Sequence, residues 1–159
     1  MGTRSTIALE FADGTVEQVY CHWDGYLDHN GKILSMHYMD PFKVRDLMDL
    51  GDMSSLGPNV GEKHNFDNPH PYGSAEYMAE AEVKATMCTF YGRDRGEEGT
   101  EAKKFKNFDQ YVANHQFEEY EYILRQVDGK AVWFVSTYST DGAYIPLEEA
   151  FIKEQEMAE

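Results

Sequence analysis

Two Asp-Gly pairs, Asp13-Gly14 and Asp128-Gly129, each stand between two runs of strand-forming residues. Asp and Gly tolerate the positive φ that tight hairpin turns demand, so each pair reads as a turn joining two antiparallel strands. Thr3 to Leu9 and Thr15 to Cys21 flank the first turn; Glu118 to Val127 and Lys130 to Tyr138 flank the second. In the second hairpin Tyr120, Tyr122 and Leu124 alternate, which places them on one face of a strand. A chain that opens and nearly closes on hairpins is committed to a largely antiparallel sheet. The residues between the hairpins have to cover it.

Several helices are legible there. Ile33, Leu34, His37 and Tyr38 fall near one helical face, with Gly31 weakening the start. Asp40-Pro41 opens a second helix, Asp as N-cap and Pro at the first helical position. Val44, Leu47 and Met48 form its apolar stripe, and Gly51 closes it. Ser74 caps a helix to Glu82, Asn107 to His115 is a further candidate, and Pro146 opens a last helix from Leu147 to about Met157. Val83 to Tyr91 reads as a strand. Residues 52–73 hold Gly57, Pro58, Gly61, Pro69, Pro71 and Gly73 with little apolar periodicity, so a long irregular loop is expected. No βαβ crossover with a glycine-rich phosphate turn occurs, which argues against a Rossmann-like sheet. With 159 residues and 42% apolar composition, the expectation is a single compact α+β domain spanning residues 1–159. Its mostly antiparallel sheet would carry helices packed on one face.

Charge narrows the function classes. There are 14 Lys and Arg against 29 Asp and Glu, a net charge of −15. Residues 97–159 carry 6 basic and 14 acidic side chains, the largest local excess at −8. Such a field repels nucleic acid and anionic membranes and favours a partner with a basic groove. No direct nucleic-acid binding and no membrane association are expected. No stretch approaches the 18 apolar residues of a membrane span, and the N-terminus has no apolar signal-peptide core. The two cysteines, Cys21 and Cys88, suit a reducing cytoplasm.

Four polar blocks put costly residue types into turns. They are Tyr20-Cys21-His22-Trp23-Asp24-Gly25-Tyr26, Gly51-Asp52-Met53-Ser54-Ser55-Leu56-Gly57, Gly61-Glu62-Lys63-His64-Asn65-Phe66 and Phe90-Tyr91-Gly92-Arg93-Asp94-Arg95-Gly96-Glu97. As an ordered set, in a stretch from Thr3 to about Lys103, they resemble a group of small bacteriophage and prophage proteins of unassigned function. The resemblance implies a setting, the cytoplasm of an infected or lysogenic bacterial host, and no particular chemistry.

The residues themselves allow more than one role. His22 and Asp24 share a strand face and could hydrogen-bond their turn, contact a ligand, or form the oriented imidazole of a catalytic pair. Arg93 and Arg95, in an extended segment, project to the same side. Their guanidinium forks suit a phosphate or carboxylate, or internal pairing with Glu62, Asp94 or Glu97. Trp23, Tyr26 and Tyr91 could stack a base or fill core. His64 could complete a pocket with His22. No Gly-x-Ser-x-Gly supplies a nucleophile, and no Cys-x-x-Cys or His-Glu-x-x-His supplies a metal site, so neither metal nor cofactor is expected.

Two functions follow as expectations. The first is an acidic accessory protein that inhibits a host bacterial factor, a defence or nucleic-acid-handling complex, by binding its basic surface as a nucleic-acid mimic. Glu148, Glu149, Glu154 and Glu156 on the last helix would face that partner. The alternative is a pocket protein that binds, sequesters or cleaves a phosphorylated nucleotide-like ligand where the blocks converge. His22, Asp24, His64, Arg93 and Arg95 would carry that work, with Trp23, Tyr26 and Tyr91 stacking the base.

Overall fold

The structure is a computed structural model and describes residues 3–64, 69–115 and 118–158. Strands β1 (Ser5–Glu10) and β2 (Val16–Cys21) form the first hairpin, in register from Ser5↔Cys21 to Glu10↔Val16. Its turn uses the Asp-Gly pair unequally. Gly14 takes φ +91°, while the Asp13 carboxylate accepts from the Thr15 N–H at 2.9 Å and the Thr15 hydroxyl at 2.7 Å. The second hairpin is the expected mirror-image turn, with Asp128 at φ +52° and Gly129 at +79°. The two hairpins meet along a parallel seam, Ser5↔Tyr120 to Leu9↔Leu124.

The helices open as the local chemistry dictates. A π-helical turn over Leu27–Gly31 runs into α1 (Lys32–His37). The Asp40 carboxylate accepts from Phe42 N–H at 2.9 Å and starts α2 (Pro41–Leu50). Gly51 ends it at φ +85°, where a Cβ would lie 2.2 Å from the Thr100 carbonyl oxygen, so only glycine fits. A short strand β3 (Met53–Ser55) follows, inside the stretch expected to be loop. Ser74 caps α3 (Ala75–Ala85), which takes up the Val83–Ala85 segment assigned to a strand. Its alanine-rich composition and the Glu80–Lys84 pair one turn apart, 3.8 Å, favour helix over the β-branched valine. What remains of that strand is β4 (Thr89–Phe90).

Next come α4 (Tyr91–Arg95), β5 (Lys103–Phe105) and α5 (Phe108–Asn114), the last capped by the Asn107 side chain. Strands β6 (Tyr120–Val127) and β7 (Lys130–Thr137) form the second hairpin, and β8 (Ile145–Pro146) edges it before α6 (Leu147–Ala158). The sheet order is β4-β3-β2-β1-β6-β7-β8, with β5 also on β2. Pairings are antiparallel except β1 with β6 and β2 with β3. The α+β class and the single compact domain stand.

Helices α1, α2 and α6 cover one face of the sheet. Leu34, Leu47, Met48 and Leu147 pack there against Ile7, Val19, Tyr122, Leu124, Trp133 and Val135. Burying one such side chain stabilises by about 1.5–3 kcal/mol. The indole N–H of Trp133 reaches the Tyr38 carbonyl at 3.0 Å, so the ring is buried without an orphaned donor. The opposite face is covered too: α5 lays Tyr111 on Ala8, Val16 and Ile123, flanked by Phe105 and Phe108. Helices on one face alone is therefore corrected. Strand β1 is central and buried on alternate sides at Ile7 and Ala8, which calls for a lid on each face.

Candidate functional site

The four polar blocks meet at the β2–β3–β4 corner of the sheet. The Asp52 carboxylate accepts from Tyr20 N–H at 2.9 Å, and the Met53 and Ser54 carbonyls accept from the N–H groups of His22 and Trp23 at 3.1 and 3.0 Å. Tyr91 N–H reaches the Asp52 carbonyl at 3.2 Å. Burial raises the pKa of Asp52, an effect opposed by the Tyr20 N–H and by Lys103. Gly25 lets this strand end pass close to β1, since a Cβ there would stand 2.6 Å from Ser5 Cβ.

The blocks meet as one another's partners. Arg93 is the clearest case. Its Nε donates to Asp94 Oδ1 at 3.0 Å, and Nη1 donates to the Val60 and Gly61 carbonyls at 3.0 and 3.1 Å. Nη2 donates to the Cys88 carbonyl at 3.0 Å and to Asp94 Oδ2 at 3.3 Å. A guanidinium has five N–H donors, and all five are engaged inside the protein. Asp94, its side chain fully buried, also accepts from the backbone N–H groups of Phe90 and His64 at 2.7 and 3.1 Å. Of the two roles open to Arg93, the geometry is that of internal pairing with Asp94.

Arg95 does not stand beside it. The segment is the helix α4, not an extended strand, and residues two apart on a helix lie about 200° around the axis. Arg95 instead pairs with Glu97 at 3.6 Å, with its guanidinium 5.9 Å from the Tyr91 ring centre. Tyr91 hydrogen-bonds Ser54, and burial raises its phenol pKa.

The histidines are tied as well. His22 Nδ1 meets the Tyr20 hydroxyl at 2.7 Å, and its ring sits edge-on to Trp23 at 4.8 Å. Among the described residues no hydrogen bond joins it to Asp24, because Asp24 takes a left-handed turn at φ +55° and leaves the strand face the two were expected to share. His64 lies between the Glu62 carbonyl at Nδ1, 2.9 Å, and the Thr89 hydroxyl at Nε2, 3.2 Å. Asn65 and Phe66 of the third block lie outside the described residues. Trp23 and Tyr26 are 42% and 39% exposed, leaving part of each ring at the surface. Both cysteines are buried thiols; burial pushes Cys21 up to about 12 and raises Cys88.

The grooves lie elsewhere. One of about 410 Å³ sits between the start of β6, the end of β7 and α6. Leu27, Ile145 and Ala150 contribute apolar surface, Tyr120 and Tyr138 contribute rings, and Glu119, Lys153 and Glu154 contribute charge. Tyr138 is 79% exposed on a locked turn, where Thr137 and Thr140 cap each other's backbone. A second groove, about 360 Å³, is lined by Met39, Trp133 and Leu147. Under α5, His115 Nε2 makes a close ion pair with Glu121, whose side chain is 2% exposed. Burial opposes charge on His115, but Glu121 and the Tyr111 and Val112 carbonyls raise its pKa above the ordinary value.

Sequence reasoning singled out neither the larger groove nor this pair. The one available signal was Glu121 itself, a carboxylate inside the otherwise apolar run from Tyr120 to Leu124. Comparison with protein-family models, with curated proteins and with solved structures gives no match to this chain. Among the described residues no helix is long and apolar enough to cross a membrane, and no three His, Cys, Asp or Glu side chains are grouped to hold a metal ion.

Proposed function

We propose that this chain is an acidic binding protein that occupies the basic, nucleic-acid-handling groove of a partner protein and so inhibits it. The observation that carries this reading is α6. Glu148, Glu149, Glu154 and Glu156 are all exposed, within a chain of net charge −15. Glu149 faces Lys153 at 3.5 Å, an exposed pair that neutralises little. The most conspicuous positive site in the sequence, Arg93, is spent inside the fold, so it does not offset that field at the surface. The resemblance of the four blocks to phage proteins points to a host bacterial factor as the partner. The nucleotide-pocket alternative loses its main support with Arg93, since an anion would have to displace five internal hydrogen bonds.

The test has two stages. Bacterial proteins captured on the immobilised chain at low salt are purified and assayed for nucleic-acid binding with and without it. The reading expects competition with DNA or RNA and an affinity that falls steeply with salt. Changing Glu148, Glu149, Glu154 and Glu156 together to Gln should slow association several-fold with no loss of thermal stability. A partner whose nucleic-acid binding is untouched, or whose association ignores the quadruple change, overturns the reading.

A further inference from the structure

We propose that the groove between β6, β7 and α6 receives an arginine side chain presented by the basic partner. The inference rests on the acidic-binding reading and adds its anchor point. The groove's volume, about 410 Å³, is at the small end of ligand-sized cavities. Its lining matches the parts of an arginine. Leu27, Ile145 and Ala150 suit the methylene stem. Tyr120 and Tyr138 offer ring faces on which a planar guanidinium stacks. Glu119 and Glu154 supply the carboxylates its fork prefers.

Three further observations agree. Lys153 is the one cation in the lining against the two carboxylates of Glu119 and Glu154, and it also pairs with Glu149 at 3.5 Å, so the lining stays net acidic. The Tyr120 phenol has a raised pKa, first through burial and then through the Glu154 and Glu119 carboxylates, so both charges reach the aromatic wall. The Tyr138 ring is exposed yet carried on a turn fixed by hydrogen bonds from Thr137 N–H to the Thr140 hydroxyl at 3.0 Å and from Ser139 N–H to the Thr137 hydroxyl at 3.1 Å. An exposed ring on a rigid turn costs little to order on binding. Arginine fits better than lysine, because an ammonium is more strongly hydrated and neither stacks nor forks.

The probe is a labelled Gly-Ser peptide with one arginine between two lysines, together with twins carrying citrulline or lysine in its place. Each is titrated into the full chain at about 50 mM salt, where electrostatic binding is strong, and followed by backbone amide shifts. Shifts should gather at residues 119–120, 137–140 and 153–154. The citrulline and lysine twins should each bind more weakly, citrulline by roughly tenfold. Tyr138→Ala and Glu154→Gln should weaken the arginine peptide several-fold at unchanged thermal stability. Salt-sensitive binding that ignores both variants, or twins that bind equally well, overturns the arginine groove and leaves the acidic-binding reading standing. No binding by any of the three peptides overturns both.

Discussion

Arg93→Ala is expected to unfold a corner of the sheet rather than empty a binding site. The Arg93 side chain is 12% exposed and the Asp94 carboxylate fully buried. Truncation leaves that carboxylate with the Phe90 and His64 N–H donors and the His64 ring at 3.5 Å, but without its guanidinium. It also removes the donors to the Val60, Gly61 and Cys88 carbonyls. Breaking one side of a buried ion pair costs about 3–5 kcal/mol, a large part of the 5–15 kcal/mol that holds a domain together. For a chain of this size each kcal/mol moves Tm by about 2–4 °C, so a fall of roughly 6–20 °C is expected. Urea and thermal unfolding of the wild type, Arg93→Ala, Asp94→Ala and the double variant form a closed cycle. Removing Asp94 as well removes the stranded charge, so the double variant should lose less than the two singles together, by about 1–3 kcal/mol. A loss below about 1 kcal/mol for Arg93→Ala, typical of a surface change, or strict additivity of the pair, refutes the internal tie.

The His115–Glu121 pair should make stability depend on pH. Because the folded pKa of His115 is raised, the benefit of its charge is complete below about pH 6.5 and is lost as pH climbs through the folded value. The stability advantage of the wild type over Glu121→Gln should therefore shrink between about pH 6 and pH 8, and an advantage that grows over that range would contradict the pairing. Duplex DNA should give no submicromolar gel shift with the isolated chain at about 50 mM salt; a tight shift there would defeat the charge argument. Cys21 and Cys88 should resist an aqueous thiol reagent until the chain is unfolded, and rapid labelling of either in the native state would contradict their burial.

Much of the architecture was readable because local chemistry decided it. The second Asp-Gly turn, the Asp40-Pro41 helix start, the Gly51 stop and the Ser74 cap each act within four residues, and each appears where the sequence puts it. Segments that depend on distant partners were not readable. Met53–Ser55 is only three residues long and becomes a strand because Cys21 and Phe90 lie on either side of it. The Val83–Ala85 stretch has strand-forming valine, but the helix initiated at Ser74 runs through it. α5 was legible as a helix but not as a lid on the second face. That role follows from Ala8, Gln18 and Ile123 being buried opposite Ile7, Val19 and Tyr122, a two-sidedness that only the strand order reveals.

The candidate site shows why residue type alone misleads in a polar turn. His, Asp and Arg are costly wherever water is excluded, and their presence in Tyr20–Tyr26, Gly61–His64 and Phe90–Glu97 correctly implied that the blocks find one another. Whether such a cluster serves a ligand depends on the donors left over. Arg93 has none to spare, and both nitrogens of His64 lie within hydrogen-bond distance of a carbonyl or hydroxyl oxygen. The groove beside Tyr138 is the opposite case. Its ring is exposed, its turn is already fixed, and Glu119 and Glu154 line it with carboxylates. Of these residues only Glu154 is marked in the sequence, as part of an acidic helix, because they come from separate stretches gathered by the β6–β7 pairing and the return of α6 across the sheet. A groove built this way becomes visible only when the strands are in register.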